Sequence, residues 1–193
     1  MGTAKFEGLG LSRYEDIRAE IRTGDLLLCA GNYAISRIIE HFSDSMFSHV
    51  GLVYCWNDRV LVFESVEDDG VRLVPLSHYV RDYENSGTAY DGRLFIGRHD
   101  EPFEPDQVKA MLGRAADELN RKYDKDEMLE ILARVTIGLG KHQDDDAYLC
   151  SEFVDRCFQE VGIVFDRDPD DYIFPEHIAA DPNVQALWEI EPE

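Results

Sequence analysis

Three side chains far apart in the sequence have the types and settings for acyl-transfer chemistry: Cys150, His49 and Glu64. Cys150 lies in AYLCSEFVDRCFQEVG, where apolar residues recur at Cys150, Phe153, Val154, Cys157, Phe158 and Val161. That is the spacing of one buried helix face. Free cysteine is among the most buried residue types, so the pattern alone is consistent with a core residue. Its place in the first helical turn points the other way, because unpaired backbone N–H groups and the positive end of the helix dipole favour a thiolate there. A base elsewhere in the chain must decide between the two. His49 in MFSHVGLVYC is the best partner. On a strand it shares a face with Gly51 and Val53, and a strand glycine often marks the close approach of another group. Thiol and imidazole together make a nucleophile and its base.

Glu64 in VFES is the candidate for orienting the imidazole, and parity governs whether it can. If strands 48–54 and 59–65 form a hairpin with an even loop, Glu64 shares the face of His49, directly opposite or one diagonal away. A loop of Trp56 and Asn57, for example, sets 49 against 64. An odd loop puts Glu64 on the far face, where a solvated strand-end carboxylate is the ordinary reading. Other groupings are weaker. His41, His49 and Cys55 match no familiar zinc spacing, so no metal is expected. His78, His99, His142 and His177 have no obvious partners. The acidic clusters 67–69, 144–146 and 168–171 lack the oxygen-ligand pattern of a calcium loop.

The elements that must position these groups read as follows. A short helix is expected over 12–22, with Ser12 as N-cap and Glu15 three residues on. Gly24-Asp25 opens a buried strand at 26–29, and Asn32 caps a helix to about Phe42. Strands are expected at 48–54, 59–65 and 71–76, joined by the turn-like WND and EDDG. A helical patch at 77–83 precedes a strand at 92–99. Pro105 suits the first turn of a helix over 104–122, and another covers about 125–138. Gly138, Gly140 and the acidic run at 144–146 form a loop before the Cys150 helix. The segment RDPDDYIFPEHIAADP reads as turns with one short helix. Strands first and helices later give an α+β layout, an antiparallel sheet packed against helices in a single domain, 1–193.

Composition narrows the function classes. The chain of 193 residues is 44% hydrophobic and 31% charged, as globular domains are, but its formal net charge is −21. Such a surface repels nucleic acid and anionic lipid headgroups. With no secretory signal, no run of transmembrane length and Phe6 where a myristoylation pattern needs Ser or Thr, a cytoplasmic chain with reduced thiols at Cys29, Cys55, Cys150 and Cys157 is expected. No nucleic-acid partner and no stable membrane insertion are expected.

GDLLL, FSHVGLVY, a carboxylate one strand later, KYD at 122–124 and YLCSEFV resemble the circularly permuted papain-fold hydrolases of the YiiX/YebB-like group, within the broader NlpC/P60 superfamily. The resemblance runs from about Gly24 to Val161. Its most specific pieces are FSHVGLV and YLCSEFV in that order. It implies a permuted papain-like (NlpC/P60-type) fold with Cys150 as nucleophile, His49 as base and Glu64 as orienting group. Tyr123 matches a tyrosine that recurs before the cysteine helix, and Tyr123 and Ser151 are the candidates for substrate or oxyanion contact. The implied reaction is hydrolysis of an amide, peptide or N-acyl, with no cofactor; the substrate is a small molecule, a peptide or an acyl lipid. Two alternatives share the fold: a lipid acyltransferase or thioesterase like lecithin:retinol acyltransferase, and a binding module without catalysis. The chain departs from the minimal fold in longer helices after the first strand and at 104–138. The run at 144–146 also sets negative charge just before the thiol.

Overall fold

The structure, a computed structural model, describes residues 2–31, 46–66, 69–121, 150–169 and 171–193. Its centre is a seven-stranded sheet in the order β1-β7-β6-β2-β3-β4-β5. The strands are β1 (Leu11–Ser12), β2 (Leu26–Gly31), β3 (His49–Trp56), β4 (Arg59–Val66), β5 (Gly70–Pro75), β6 (Gly92–His99) and β7 (Val184–Ile190). Every pairing is antiparallel except the short β1–β7 bridge. The helices are α1 (Tyr14–Ile17), α2 (Leu76–Arg81), α3 (Pro105–Asp117), α4 (Cys150–Gln159) and α5 (Pro175–Ala180). Among the described residues no helix is long and apolar enough to cross a membrane.

Alternation along the central strands gives the sheet two buried faces. On one, Leu26, Leu28, Val50, Leu52, Phe63 and Phe95 pack with Phe153, Val154, Cys157 and Phe158 of α4. On the other, Leu27, Cys29, Val53, Val62 and Ile96 pack with Leu76, Tyr79 and Val80 of α2 and with Tyr14 and Ile17 of α1. The start of β2 is locked by Asp25, which is buried and takes a bidentate pair from Arg98 (Nε–Oδ1 2.6 Å, Nη2–Oδ2 2.8 Å). Gly24 before it has φ +92°, open to glycine at no steric cost.

Several expected boundaries move for identifiable reasons. The helix expected over 12–22 shrinks to Tyr14–Ile17, and Ser12 is not its cap. Ser12 pairs instead with Ile190, and its carbonyl accepts from Glu191 N at 2.9 Å. The helix expected to reach 122 ends at Asp117; Asn120 takes φ 62° so that its N–H and the Arg121 carbonyl can pair with Val71. The β3–β4 loop is Asn57-Asp58, since Trp56 pairs with Arg59. β7 was not among the expected strands, although VQALWEI completes the sheet between β6 and β1. The helix expected after Asn32, the one at 125–138, and the loop at 138–146 lie outside the described residues, as do His41, His142 and Tyr123.

Gly51 is a tightly packed point of the β3–β4 hairpin. A Cβ there would overlap the Val62 methyl Cγ1 and come within 3.2 Å of the Phe63 carbonyl. Val62 is fully buried and stiff at χ1, so it cannot turn aside cheaply. Gly51→Ala should lower the unfolding free energy by roughly 1–3 kcal/mol in denaturant titrations. Gly113→Ala, in α3 with open space around the position, should be neutral or stabilise by up to about 1 kcal/mol. Equal effects at the two positions would show that the ladder is not tight at Gly51.

Candidate active site

The two-residue loop fixes the parity of the hairpin. Trp56 pairs with Arg59 and Leu52 with Phe63, and continuing that register puts Glu64 opposite Gly51 and one diagonal from His49. Direct opposition of 49 and 64 would need a register two residues away. Across that diagonal His49 Nε2 reaches Glu64 Oε2 at 2.7 Å. An ionised carboxylate can only accept, so Nε2 carries the proton in this contact. That leaves Nδ1 as the nitrogen available to a thiol.

Cys150 approaches from the other face of the sheet. The apolar side of α4 packs on the Val50 and Leu52 face, while His49 and Glu64 belong to the α2 face. His49 therefore does not look onto the body of the helix. It is the first residue of β3, the half-buried Cys150 is the first described residue of α4, and the two interact through charge and a hydrogen bond. Both Cys150 and Glu64 act on the imidazole. Burial pulls the His49 pKa down, but the charge of Cys150, a hydrogen bond with it, and the hydrogen bond and charge of Glu64 outweigh that and raise it to about 10.

Glu64 has no exposed side-chain surface. Its Oε1 accepts from Arg72 Nε at 2.9 Å, and its Oε2 accepts from the Tyr79 hydroxyl as well as from His49. Burial pushes the carboxyl pKa up, yet the His49 hydrogen bond and charge, then Arg72 and Tyr79, hold it below the usual carboxylate range. Arg72 comes from β5, directly across the ladder from Glu64, and Tyr79 from α2. Neither was singled out from the sequence. The available signal was Arg72 itself, a lone charge within the apolar strand VRLVPL. Cys29, paired with His49 across β2–β3, is fully buried, and its thiol is pushed well above the ordinary range by burial, Glu64 and Cys150.

The remaining sequence candidates fall out separately. Ser151 is buried and donates its hydroxyl to Ile173 O at 2.7 Å, so its backbone N–H is what it can offer a ligand. Cys55 Sγ donates to Ile21 O at 3.4 Å, with no part in the contacts of His49. His99 Nδ1 and His177 Nδ1 accept backbone N–H groups from Glu101 and Phe174. Among the described residues no three His, Cys, Asp or Glu side chains are grouped as a metal site.

A raised pKa has a checkable sign. A His49 whose folded pKa lies near 10, against an ordinary 6.5, contributes stability that is complete below the ordinary value and is lost as pH rises through the folded one. NMR titration of the imidazole should show it protonated well above 6.5 in the wild type. In Cys150→Ala, which removes two of the causes, the midpoint should fall. An unchanged midpoint would mean that thiol and imidazole do not interact.

The family model of the permuted papain-like amidase enzymes, YaeF/YiiX, matches residues 20–192. Among solved structures, the crystal structure of the metalloprotein yiiX from Escherichia coli O157:H7 is similar with a TM-score of 0.63. The likeness covers 86% of this chain and 98% of that one at 17% identity, a likeness of fold. No curated protein matches the chain. The match over residues 20–192 places the chain in the C92 family of permuted papain-like amidases, enzymes of the cysteine hydrolase type.

Proposed function

We propose that the chain hydrolyses an amide bond, peptide or N-acyl, with Cys150 as nucleophile, His49 as its proton partner and Glu64 as the group that holds the imidazole. The observation that carries this reading is the His49 Nε2–Glu64 Oε2 contact at 2.7 Å, with Cys150 acting on the same ring. His49 takes the thiol proton, the Cys150 thiolate attacks the carbonyl carbon, and the C–N bond breaks as the imidazolium gives its proton to the leaving nitrogen. Water, deprotonated by the same imidazole, then releases the acid from the thioester. Glu64 fixes the tautomer and balances the imidazolium charge without itself taking the proton. The N–H groups at the start of α4, that of Ser151 among them, are the proposed oxyanion donors. Tyr123 is a further candidate for substrate contact, on the ground of the sequence resemblance.

The four thiols differ in setting. Cys29 and Cys157 are fully buried, and burial pushes Cys157 up to about 12. Cys55 is raised too, first by burial and then by Asp25. Brief iodoacetamide treatment at neutral pH followed by peptide mass spectrometry should therefore find Cys150 labelled first. Equal or slower labelling of Cys150 would return it to the role of a core residue.

Activity separates the roles. On a panel of peptide, amide, thioester and phospholipid substrates, the wild type should cleave amides and Cys150→Ala should cleave none. Glu64→Gln should remain folded and lose on the order of 10²–10⁴-fold in turnover, less than the loss of the nucleophile. A fully active Glu64→Gln would reduce the site to a Cys–His pair. Preference for phospholipid or thioester would favour the lipid-acting alternative.

A further inference from the structure

We propose that Arg72 is a positioning residue of this site: it fixes the Glu64 carboxylate and sets how tightly that carboxylate holds the proton of His49. The inference rests on the Cys150–His49–Glu64 reading above and extends it one residue outward.

The two oxygens of Glu64 are divided between different partners. Oε2 serves His49 and the Tyr79 hydroxyl, whereas Oε1 serves Arg72 Nε at 2.9 Å. When His49 is an imidazolium, the buried carboxylate has two cations beside it. Once His49 has given its proton to the leaving nitrogen, Arg72 is the one cation left among the described partners of Glu64. Without it, an ionised carboxylate with no exposed surface would lie uncompensated beside a neutral ring, and a Glu64 that took up a proton would no longer accept from Nε2–H and hold the tautomer that presents Nδ1 to Cys150. Arg72 thus lets the imidazole cycle between its charge states while Glu64 stays ionised.

The guanidinium is itself held in place. Its Nη1 donates to Asp69 Oδ2 at 2.7 Å and its Nη2 to Glu84 Oε1 at 3.1 Å. With Nε on Glu64, all three nitrogens have a carboxylate, which fixes the guanidinium charge beside Glu64. The register contributes too, since Arg72 sits directly opposite Glu64 across the β4–β5 ladder. Asp69 and Glu84 are mostly exposed, so the chain of contacts runs from solvent through Arg72 and Glu64 to the ring. The titratable and charged groups acting on the imidazole and its carboxylate from the described elements are Cys29 of β2, Glu64 of β4, Arg72 of β5, Tyr79 of α2, Tyr83 just after it and Cys150 of α4.

The test is the pH dependence of the site in the full chain, followed by the NMR titration of His49 and by the rate of Cys150 alkylation with iodoacetamide. Removing a positive charge raises the proton affinity of its neighbours, so Arg72→Gln should move the His49 midpoint and the acid limb of labelling upward by on the order of one pH unit. Arg72→Lys keeps the charge and should restore most of that shift. The double substitution Asp69→Asn, Glu84→Gln touches only exposed partners, frees Arg72 for Glu64, and should move the His49 midpoint downward. This second variant retains the test if Arg72→Gln does not fold. Superposable pH profiles in these variants, whatever happens to their thermal midpoints, would overturn the proposal and leave Arg72 as a structural ion pair. Wild-type labelling tells the two layers apart. If Cys150 is not labelled ahead of the other thiols, the underlying site reading fails; if it is, and Arg72→Gln titrates like the wild type, only the role of Arg72 fails.

Discussion

A carboxylate taken wholly out of water must be compensated on every side, and Glu64 is such a group. Its compensation is spread over three elements: His49 on β3, Arg72 on β5 and Tyr79 on α2. Removing one partner of a buried charged pair typically costs on the order of 3–5 kcal/mol, because the charge left behind has no water to turn to. The position of the imidazole is thus tied to the integrity of a three-strand segment and its covering helix. A ring held in this way reaches the thiol in one orientation only.

The same constraint explains where the site lies. The interior of the sheet is apolar on both faces, with Val50, Leu52 and Phe63 on one and Val53, Val62 and Ile96 on the other. A charged pair between sheet and helix would displace that packing. His49 stands at the start of β3, away from the middle of the apolar sheet. Cys150, the first described residue of α4, interacts with His49, while Phe153, Val154, Cys157 and Phe158 anchor the rest of the helix in the core. The apolar spacing noted in the sequence therefore belongs to the anchor, and the chemistry to the residue at its edge.

Much of this was legible in the residues, for physical reasons that can be named. The period of two along a strand and an even loop suffice to bring Glu64 to the face of His49, whatever the register within that parity. The observed diagonal, against direct opposition, depends on whether Trp56 joins the ladder, which one or two polar loop residues do not specify. Helical periodicity marked α4 because its buried face spans three turns. Arg72 and Tyr79 were not legible, because their roles depend on the β4–β5 register and on the docking of α2, both set by tertiary packing. The short α1 and the strand β7 were misjudged or missed for a related reason: Ser12 acquires its strand character from β7 and VQALWEI mainly from β6, and neither segment shows it in isolation.

The claim on which the account stands is that the thiol of Cys150 accepts an acyl group from a carbonyl. The direct measurement is to mix the protein with an activated acyl ester, quench in acid within one turnover, and map the acylated peptide by mass spectrometry. The account predicts one acyl group on the peptide bearing Cys150, absent in Cys150→Ala and formed far more slowly in His49→Ala. Acylation at another residue, or none at all while the ester is consumed, would contradict it.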